Sequence, residues 1–246
     1  MRQFGLIGYP LSHSFSKKYF TEKFEKEGWT DCAYENFPLS AIDQLPALLK
    51  EYPQLEGINV TIPYKEQVIT FLSKQSPVVD KIKACNCIKI QGKELAGHNT
   101  DVTGFELSLL PRLATHHKHA LILGTGGAAK AVEYVLLKLG IACKYVSRRA
   151  SPGTLNYESI DDELMQSHTL IINTTPLGMY PDTKSCPPIP YSLISSRHYL
   201  FDLVYNPAKT LFLENGERYG ATISNGSDML QIQAEESWNI WNNATK

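Results

Sequence analysis

Short apolar runs alternate with amphipathic segments along the first part of the chain. The runs Arg2–Ile7, Ala33–Phe37 and Gly57–Thr61 predict β-strands, because each is short and is bounded by glycine, proline or polar residues. Apolar side chains recur at helical spacing between these runs. We therefore expect helices at Lys17–Glu27, Ala41–Glu51 and Tyr64–Ser73, and a hairpin of Cys87–Ile90 with Glu94–Gly97.

A second alternation of strands and helices follows, from about Lys118 onward. The helix Val102–Leu113 is predicted to link this second lobe to the first. Alternating strands and helices indicate an α/β fold with largely parallel sheets, here in two lobes. The elements expected in the second lobe are strands at His119–Leu123, Ile141–Val146, Leu170–Asn173, Tyr199–Leu203 and Ala221–Ser224, and helices from Ala128 to Leu139 and at Ser159–Gln166, Leu211–Tyr219 and Asp228–Asn242.

The composition narrows the class of protein. The chain has 246 residues, 43% of them hydrophobic, which is enough for one large domain or two modest ones. A net charge of −1 argues against a dedicated binder of nucleic acid or of a membrane surface. No apolar run has the length of a membrane span or of a signal peptide, so we expect a cytoplasmic protein.

Cysteines and histidines give only weak indications of a metal site. The five cysteines are an odd number, which favours reduced thiols in a protein that is not secreted. Cys85 and Cys87 could form half of a metal site, but no second cysteine pair accompanies them. His116, His117 and His119 lie close together in sequence, yet no set of ligands at a suitable spacing completes a site. We therefore expect no bound metal.

A glycine turn separates the strand His119–Leu123 from the helix that follows it. A strand, a glycine-rich turn and a helix in this order are the context in which such a motif binds a dinucleotide. Glycines allow the tight turn and a close approach of the backbone to a pyrophosphate, and the start of the helix leaves amide hydrogens for the phosphates. The alternative is a helix that simply begins with small residues. The residues of the turn are Gly124, Thr125, Gly126, Gly127 and Ala128.

The residues after the next strand indicate which dinucleotide binds. An NAD-binding fold usually carries Asp or Glu there, to accept a hydrogen bond from the ribose 2′-hydroxyl. This chain has Ser147, Arg148 and Arg149 instead. Two guanidinium groups suit a 2′-phosphate, so we expect NADP(H) rather than NAD. The alternative is an exposed basic pair without a ligand.

Polar loops of the first lobe fall where a substrate would bind, beyond the ends of the strands. A lysine and a carboxylate among them, Lys65 and Asp101, could form an acid/base pair for an alcohol or carbonyl that exchanges hydride. Simpler roles stay open: Lys65 as an exposed residue of a first helical turn, Asp101 as a helix N-cap, and the serines as turn hydroxyls. The other polar residues of these loops are Ser14, Ser16, Thr61 and Asn86.

Seven blocks of residues in a fixed order extend over almost the whole chain, from residue 5 to residue 241. In these blocks the chain resembles the shikimate dehydrogenase family. The blocks are Gly8-x-Pro10-x-x-His13-Ser14-x-Ser16, Asn59-Val60-Thr61-x-Pro63-x-Lys65, Gly97-x-Asn99-Thr100-Asp101-x-x-Gly104-Phe105, Gly124-x-Gly126-Gly127-Ala128, Asn173-Thr174-Thr175-Pro176-x-Gly178-Met179, Asp202-x-Val204-Tyr205-Asn206-Pro207 and Gly226-x-x-Met229-Leu230-x-x-Gln233-Ala234.

The resemblance implies reversible, NADPH-dependent reduction of 3-dehydroshikimate to shikimate without a metal, by a monomer or homodimer. It implies a substrate domain at residues 1–101, completed by a returning C-terminal helix within 226–246, and a Rossmann-type NADP domain at 102–225. Lys65 would be the general acid/base, paired with Asp101. The substrate would be held by Ser14, Ser16, Thr61, Asn86, Asp101, Tyr205 and Gln233, the cofactor's pyrophosphate by Gly124–Ala128 and its ribose phosphate by Ser147–Arg149, with Thr174, Leu203 and Gly226 on the nicotinamide side.

The chain departs from the family pattern in two places, and two rival functions stay open. Lys17 stands where the family usually has proline. The lysine adds charge beside the serine loop, Ser12–Ser16. The segment around Asn86 carries Cys85 and Cys87 instead of valine and threonine. One rival is a relative that oxidises quinate or an aminoshikimate. The other is a dinucleotide sensor without catalysis, against which the presence of both Lys65 and Asp101 counts.

Overall fold

The computed structural model describes residues 1–11, 15–149 and 151–243. The chain divides into two compact units, Met1–Thr100 with Ala234–Lys246, and Asp101–Gln233. The predicted domain boundaries, 101/102 and 225/226, differ from these units mainly in the first half of the last helix. Over the described residues, no helix combines the length and the apolar character needed to cross a membrane.

The first unit contains a six-stranded mixed sheet. Its strand order is β2-β1-β3-β5-β6-β4, with β1 parallel to both β2 and β3, and with β5 antiparallel to β3 and β6. The predicted hairpin is β5–β6. The elements are β1 (Arg2–Gly8), α1 (Phe15–Glu27), β2 (Cys32–Pro38), α2 (Leu45–Glu51), β3 (Leu55–Val60), β4 (Lys74–Gln75), α3 (Pro77–Ile82), β5 (Cys87–Gln91) and β6 (Glu94–His98).

These strand directions bring several loops to one edge of the sheet. The carboxyl ends of β1 and β3 lie at the same edge because the two strands are parallel. Since β5 runs the opposite way, it begins at this edge, and β6 ends there. Tyr9, Thr61, Asn86 and Thr100 therefore follow or precede strands at a common edge.

Apolar side chains cover both faces of this first sheet. One face packs Ile7, Ile58 and Val60 against α2 and the segment after β3. On the other face, Phe4 contacts the rings of Trp238 and Trp241, with centroid separations of 5.3 and 4.9 Å. Both tryptophans lie on the last helix, α8 (Ser227–Trp241). The prediction that the C-terminal helix returns to the first lobe is therefore confirmed.

The second unit contains a six-stranded parallel sheet of order β12-β11-β10-β7-β8-β9. This is the doubly wound arrangement, in which the strand order reverses between β7 and its neighbour β10. The central strands β7, β10 and β11 are almost wholly buried, as expected for a sheet with helices on both faces. The elements are α4 (Asp101–Leu109), β7 (His119–Leu123), α5 (Gly127–Lys138), β8 (Ala142–Ser147), β9 (Thr154–Asn156), α6 (Asp162–Ser167), β10 (Leu170–Asn173), β11 (Tyr199–Asp202), α7 (Leu211–Arg218), β12 (Thr222–Ser224) and the first half of α8.

Several predicted helices are wrong in their extent. The helices predicted at Ala41–Glu51 and Ser159–Gln166 begin later, at Leu45 and Asp162. The segment Tyr64–Ser73 forms only a short 3₁₀ helix, Gln67–Phe71, and its end turns into the sheet where the Ser73 amide bonds the Leu95 carbonyl at 2.9 Å. The β-branched residues in this segment give little intrinsic preference for an α-helix that could resist this pairing. The linking helix ends at Leu109 rather than Leu113, because Pro111 cannot continue it.

Candidate active site

The loops after β1 and β3 are joined at the polar edge of the first sheet. The Thr61 amide donates to the Ile7 carbonyl at 2.9 Å, and the Tyr9 amide donates to the Ile62 carbonyl at 3.1 Å. Thr61 is half-buried and lies against Gly8, the last residue of β1. Ser14 lies outside the described residues, and Ser16 stands in the first turn of α1.

Asn86 is held at this edge by Thr100. Its side-chain oxygen accepts a hydrogen bond from the Thr100 amide at 2.7 Å, and its side-chain nitrogen donates to the Thr100 hydroxyl at 3.0 Å. An amide proton can only be donated, so the orientation of the Asn86 amide group is determined. Asn86 and Thr100 are 3% and 0% exposed. The side chain is therefore aligned by buried contacts.

Lys65 is anchored through its backbone next to Asn86. Its carbonyl accepts a hydrogen bond from the Cys85 amide at 2.7 Å, and its side chain is half-buried. Lys65 lies in a turn before the short 3₁₀ helix, so its predicted position near the start of an α-helix is wrong. The neighbouring Cys85 and Cys87 are fully buried thiols.

Asp101 begins α4, as predicted, and is only 5% exposed. It follows Thr100 directly in the chain, and Thr100 is the residue that holds Asn86. The pairing of Asp101 with Lys65 stays a prediction. Lys17, which departs from the family pattern, forms a 2.6 Å ion pair with Glu35, so its added charge is largely neutralised.

The glycine turn of the second unit lies at the switch point of the sheet, where β7 meets β10. Gly124 has φ +106°, and a side chain there would meet the Thr174 hydroxyl at 2.7 Å. Thr174 itself donates to the Leu123 carbonyl at 2.7 Å. Only glycine therefore fits at the first position of the turn. Open parallel sheets bind ligands at such switch points.

The start of α5 fits a pyrophosphate. A side-chain atom added at Gly126 would meet nothing within 4 Å, and no side chain caps the helix at this residue. The first amide hydrogens of the helix thus face space that a ligand can fill. Gly127 and Ala128 continue the turn with little bulk, and Thr125 is exposed beside them.

The end of β8 presents a basic segment, as predicted. Arg148 and Arg149 are exposed, and Ser147 organises the backbone between them by donating a hydrogen bond to the Arg149 carbonyl at 2.6 Å. Because β8 is parallel to β7, this segment lies at the same edge of the sheet as the glycine turn. The residues present therefore fit an adenosine ribose that carries a 2′-phosphate.

Four further predicted residues lie in the second unit. Gly226 packs so tightly on the backbone of Leu203 that an added side-chain atom would come within 2.1 Å of the Leu203 carbonyl oxygen. Tyr205 follows β11 and is half-buried. Gln233, the last residue of the unit, donates from its side chain to the Leu230 carbonyl at 3.0 Å.

Sequence reasoning gave no role to a buried carboxylate in this unit, Asp202. It ends β11, is fully buried, and accepts three hydrogen bonds: from the Asn173 side chain at 2.9 Å, the Val204 amide at 3.0 Å and the Thr210 hydroxyl at 2.5 Å. Asn173 in turn accepts from Thr175. Asp202 thus holds together the loops after β10 and β11. In the sequence, Asp202 is marked only as the first residue of one of the seven family blocks.

Burial of the Asp202 carboxylate makes the stability of the folded state depend on pH. Burial raises the pKa of this carboxyl from 3.8 to about 6, although its three hydrogen bonds oppose the rise. The folded state therefore binds the proton more tightly than the unfolded state does. The corresponding stability is present below pH 3.8 and is lost as the pH rises through 6.

Asp202→Asn is expected to remove this pH dependence. A pKa difference of about two units corresponds to about 3 kcal/mol of unfolding free energy. The free energy of unfolding of the variant minus that of wild type should therefore increase by roughly 3 kcal/mol from pH 4 to pH 7. Urea unfolding of both proteins across this range measures the change. Asp228→Asn, at an exposed aspartate of α8, is the control and should leave the profile unchanged. Parallel stability profiles of wild type and Asp202→Asn would contradict the assignment.

The histidines form hydrogen bonds at the opposite edge of the second sheet. The rings of His116 and His117 lie 2.9 and 3.2 Å from the Arg197 carbonyl, and His198 lies 3.1 Å from the Met165 carbonyl. Burial lowers the pKa of His117 and of His198, which favours their neutral forms. Within the described part of the chain, no group of three or more His, Cys, Asp or Glu side chains is arranged to hold a metal ion.

Comparison with known proteins identifies the family. Residues 6–88 match the family model described as the shikimate dehydrogenase substrate binding domain. The shikimate dehydrogenase (NADP(+)) of Caldicellulosiruptor saccharolyticus is 33% identical over 258 residues, covering 98% of this chain and 92% of that protein. The chain belongs to the shikimate dehydrogenase family.

Solved structures of shikimate dehydrogenases have the same fold. Shikimate dehydrogenase 1 from Peptoclostridium difficile matches with a TM-score of 0.86 at 35% identity, covering 100% of this chain and 93% of that one. Shikimate 5-dehydrogenase from Thermus thermophilus, solved in complex with NADP(H) and shikimate, matches with a TM-score of 0.87 at 28% identity, covering 99% and 94%. The resemblance inferred from the seven sequence blocks and the predicted α/β fold are confirmed.

Proposed function

We propose that this protein catalyses the reversible NADPH-dependent reduction of 3-dehydroshikimate to shikimate. The observation that carries the proposal is the near full-length similarity to proteins named shikimate dehydrogenase (NADP(+)). The names of these relatives confirm the more general prediction that the protein is an NADP-dependent oxidoreductase. The roles proposed for individual residues rest on the geometry within each unit and on their places in the family's sequence blocks.

The second unit supplies the features of a dinucleotide site. NADPH, when bound, supplies the hydride for the reaction. The amides at the start of α5 and the turn Gly124–Ala128 would hold the pyrophosphate, and Arg148 and Arg149 would pair with the 2′-phosphate. Thr174, Leu203 and Gly226 would border the nicotinamide. We therefore propose residues 102–225 as the core of the NADP domain.

The first unit would bind the substrate, with the C-terminal part of 226–246 completing it. Its polar edge offers hydroxyl and amide groups from Ser16, Thr61 and Asn86, which suit a small polyhydroxylated acid. Ser14, Asp101, Tyr205 and Gln233 are proposed as further substrate ligands from their places in the family's sequence blocks. The close anchoring of Thr61 and Asn86 supports a rigid site for the substrate ring.

Lys65 would move the proton that accompanies hydride transfer. Its ammonium group would donate a proton to the substrate carbonyl oxygen during reduction, and its neutral amine would accept one from the hydroxyl during oxidation. Asp101 would hold the ammonium group by charge and hydrogen bonding. Both side chains are at least partly withdrawn from solvent, which strengthens such an interaction.

An assay of NADP⁺ reduction by shikimate tests the proposal. We expect the purified protein to form NADPH from shikimate and NADP⁺, and to do so faster than with NAD⁺ or with quinate. The same preparation should oxidise NADPH when 3-dehydroshikimate is supplied. Faster NAD⁺-linked oxidation of quinate would overturn the substrate and cofactor assignment, and NADP⁺ binding without turnover of either substrate would favour a sensor.

A further inference from the structure

A buried chain of hydrogen-bonded polar groups lies beneath the polar edge of the first sheet. The Tyr34 hydroxyl donates to the side-chain oxygen of Asn59 at 2.9 Å, and the Asn59 side-chain nitrogen donates to the Ser237 hydroxyl at 2.9 Å. The Ser237 hydroxyl lies 3.2 Å from that of Thr100, which holds Asn86. All five side chains are at most 5% exposed.

The direction of these hydrogen bonds is determined. The side-chain nitrogen of Asn59 also donates to the Asn86 carbonyl, at 3.3 Å, and a carbonyl can only accept. The other end of the Asn59 amide is therefore its oxygen, to which Tyr34 must donate. The Tyr34 hydroxyl therefore holds the Asn59 amide in one orientation.

We propose that Tyr34 is a positioning residue that aligns Asn86 for the substrate through the Asn59 amide. Tyr34 is too deeply buried to touch a ligand, but its hydroxyl holds the Asn59 amide, which donates to the Asn86 carbonyl. Substrate binding is assigned to Asn86 above, so this inference rests on the proposed function. The Tyr34 ring stacks on the ring of Phe20 at a centroid distance of 4.5 Å.

Tyr34→Phe is the direct test, because it deletes only the hydroxyl and keeps the stacked ring. We expect the KM for shikimate to rise about 3- to 10-fold, which is the value of one hydrogen bond. The kcat should stay within about twofold of wild type, and NADP⁺ binding should not change, since Tyr34 aligns groups that bind the substrate. A general loss of folded protein would instead lower kcat and leave KM unchanged.

Matched variants separate positioning from packing. Tyr199→Phe removes another buried tyrosine hydroxyl, which donates to Ser224 at 3.0 Å in the second unit, and should lower stability without raising KM. Ser237→Ala breaks the chain on the other side of Asn59 and should also raise KM. In a Ser237→Ala background, the effect of Tyr34→Phe should be smaller than in wild type.

Calorimetric titration with shikimate measures the same loss of binding without turnover. If wild type binds shikimate but does not turn it over, the proposed function is overturned. The ratio of the shikimate dissociation constants of Tyr34→Phe and wild type then tests the positioning role. An unchanged KM and an unchanged dissociation constant in both Tyr34→Phe and Ser237→Ala would overturn the positioning role alone. A wild type that neither binds nor oxidises shikimate would overturn both.

Discussion

Lys65→Ala is expected to abolish turnover of shikimate while leaving NADP⁺ binding nearly unchanged. Loss of a general acid/base residue typically lowers the rate by about 10²- to 10⁴-fold. The effect should fall on kcat, because the ammonium group acts mainly in the transition state. The backbone of Lys65, bonded to Cys85, does not depend on the side chain that is removed. Steady-state kinetics and a separate titration with NADP⁺ measure the two quantities.

Lys74→Ala is the matched control for this variant. Lys74 lies in the same unit, on β4, and forms an exposed 2.8 Å ion pair with Glu94. Removing an exposed lysine of this kind should change neither turnover nor stability by much. Turnover of Lys65→Ala at the wild-type rate would exclude Lys65 as the acid/base group, and an equal loss in Lys74→Ala would indicate a nonspecific effect of charge.

Arg148→Ala should weaken binding of NADP⁺ far more than binding of NAD⁺. A hydrogen bond between charged groups contributes about 1.5–3 kcal/mol, so the dissociation constant of NADP⁺ should rise about 10- to 100-fold. NAD⁺ lacks the 2′-phosphate and should lose little. Calorimetric titration of wild type and variant with each cofactor gives the comparison.

A second arginine variant controls for the loss of positive charge. Arg197 is also exposed in the second unit, but it precedes β11 and therefore lies at the opposite edge of the sheet from Arg148. Arg197→Ala should leave both affinities unchanged. Equal losses of NADP⁺ and NAD⁺ affinity in Arg148→Ala would refute the assignment of a 2′-phosphate to this residue.

The glycine turn and the basic segment, which we propose to bind the cofactor, were predictable from local sequence because their residues are continuous in the chain. The strand His119–Leu123, the turn and the helix α5 follow one another directly, and each has its own pattern of apolar and small residues. The basic segment at Arg148 is one strand further on. Parallel pairing of β7 and β8 then brings the turn and the arginines to one edge without any further information.

Elements that depend on pairing with another strand were missed or misjudged. The two-residue strand β4 exists because it pairs with β6, and the short strand β9 because it pairs with β8. Neither has enough apolar residues for a signal of its own. The same pairing of β4 with β6 explains why Tyr64–Ser73 does not form the predicted α-helix.

The α/β class, the glycine turn and the basic segment could be predicted from the sequence alone, as could the polar residues that the structure places at the polar edge of the first sheet, because these follow from periodicity and residue chemistry. Only the tertiary structure revealed how Asn86 is oriented by Thr100, how Tyr34 and Asn59 connect to it, and that Asp202 holds two loops. These contacts join residues far apart in the chain. Their hydrogen bonds depend on buried geometry, which no local pattern of hydrophobic and polar residues records.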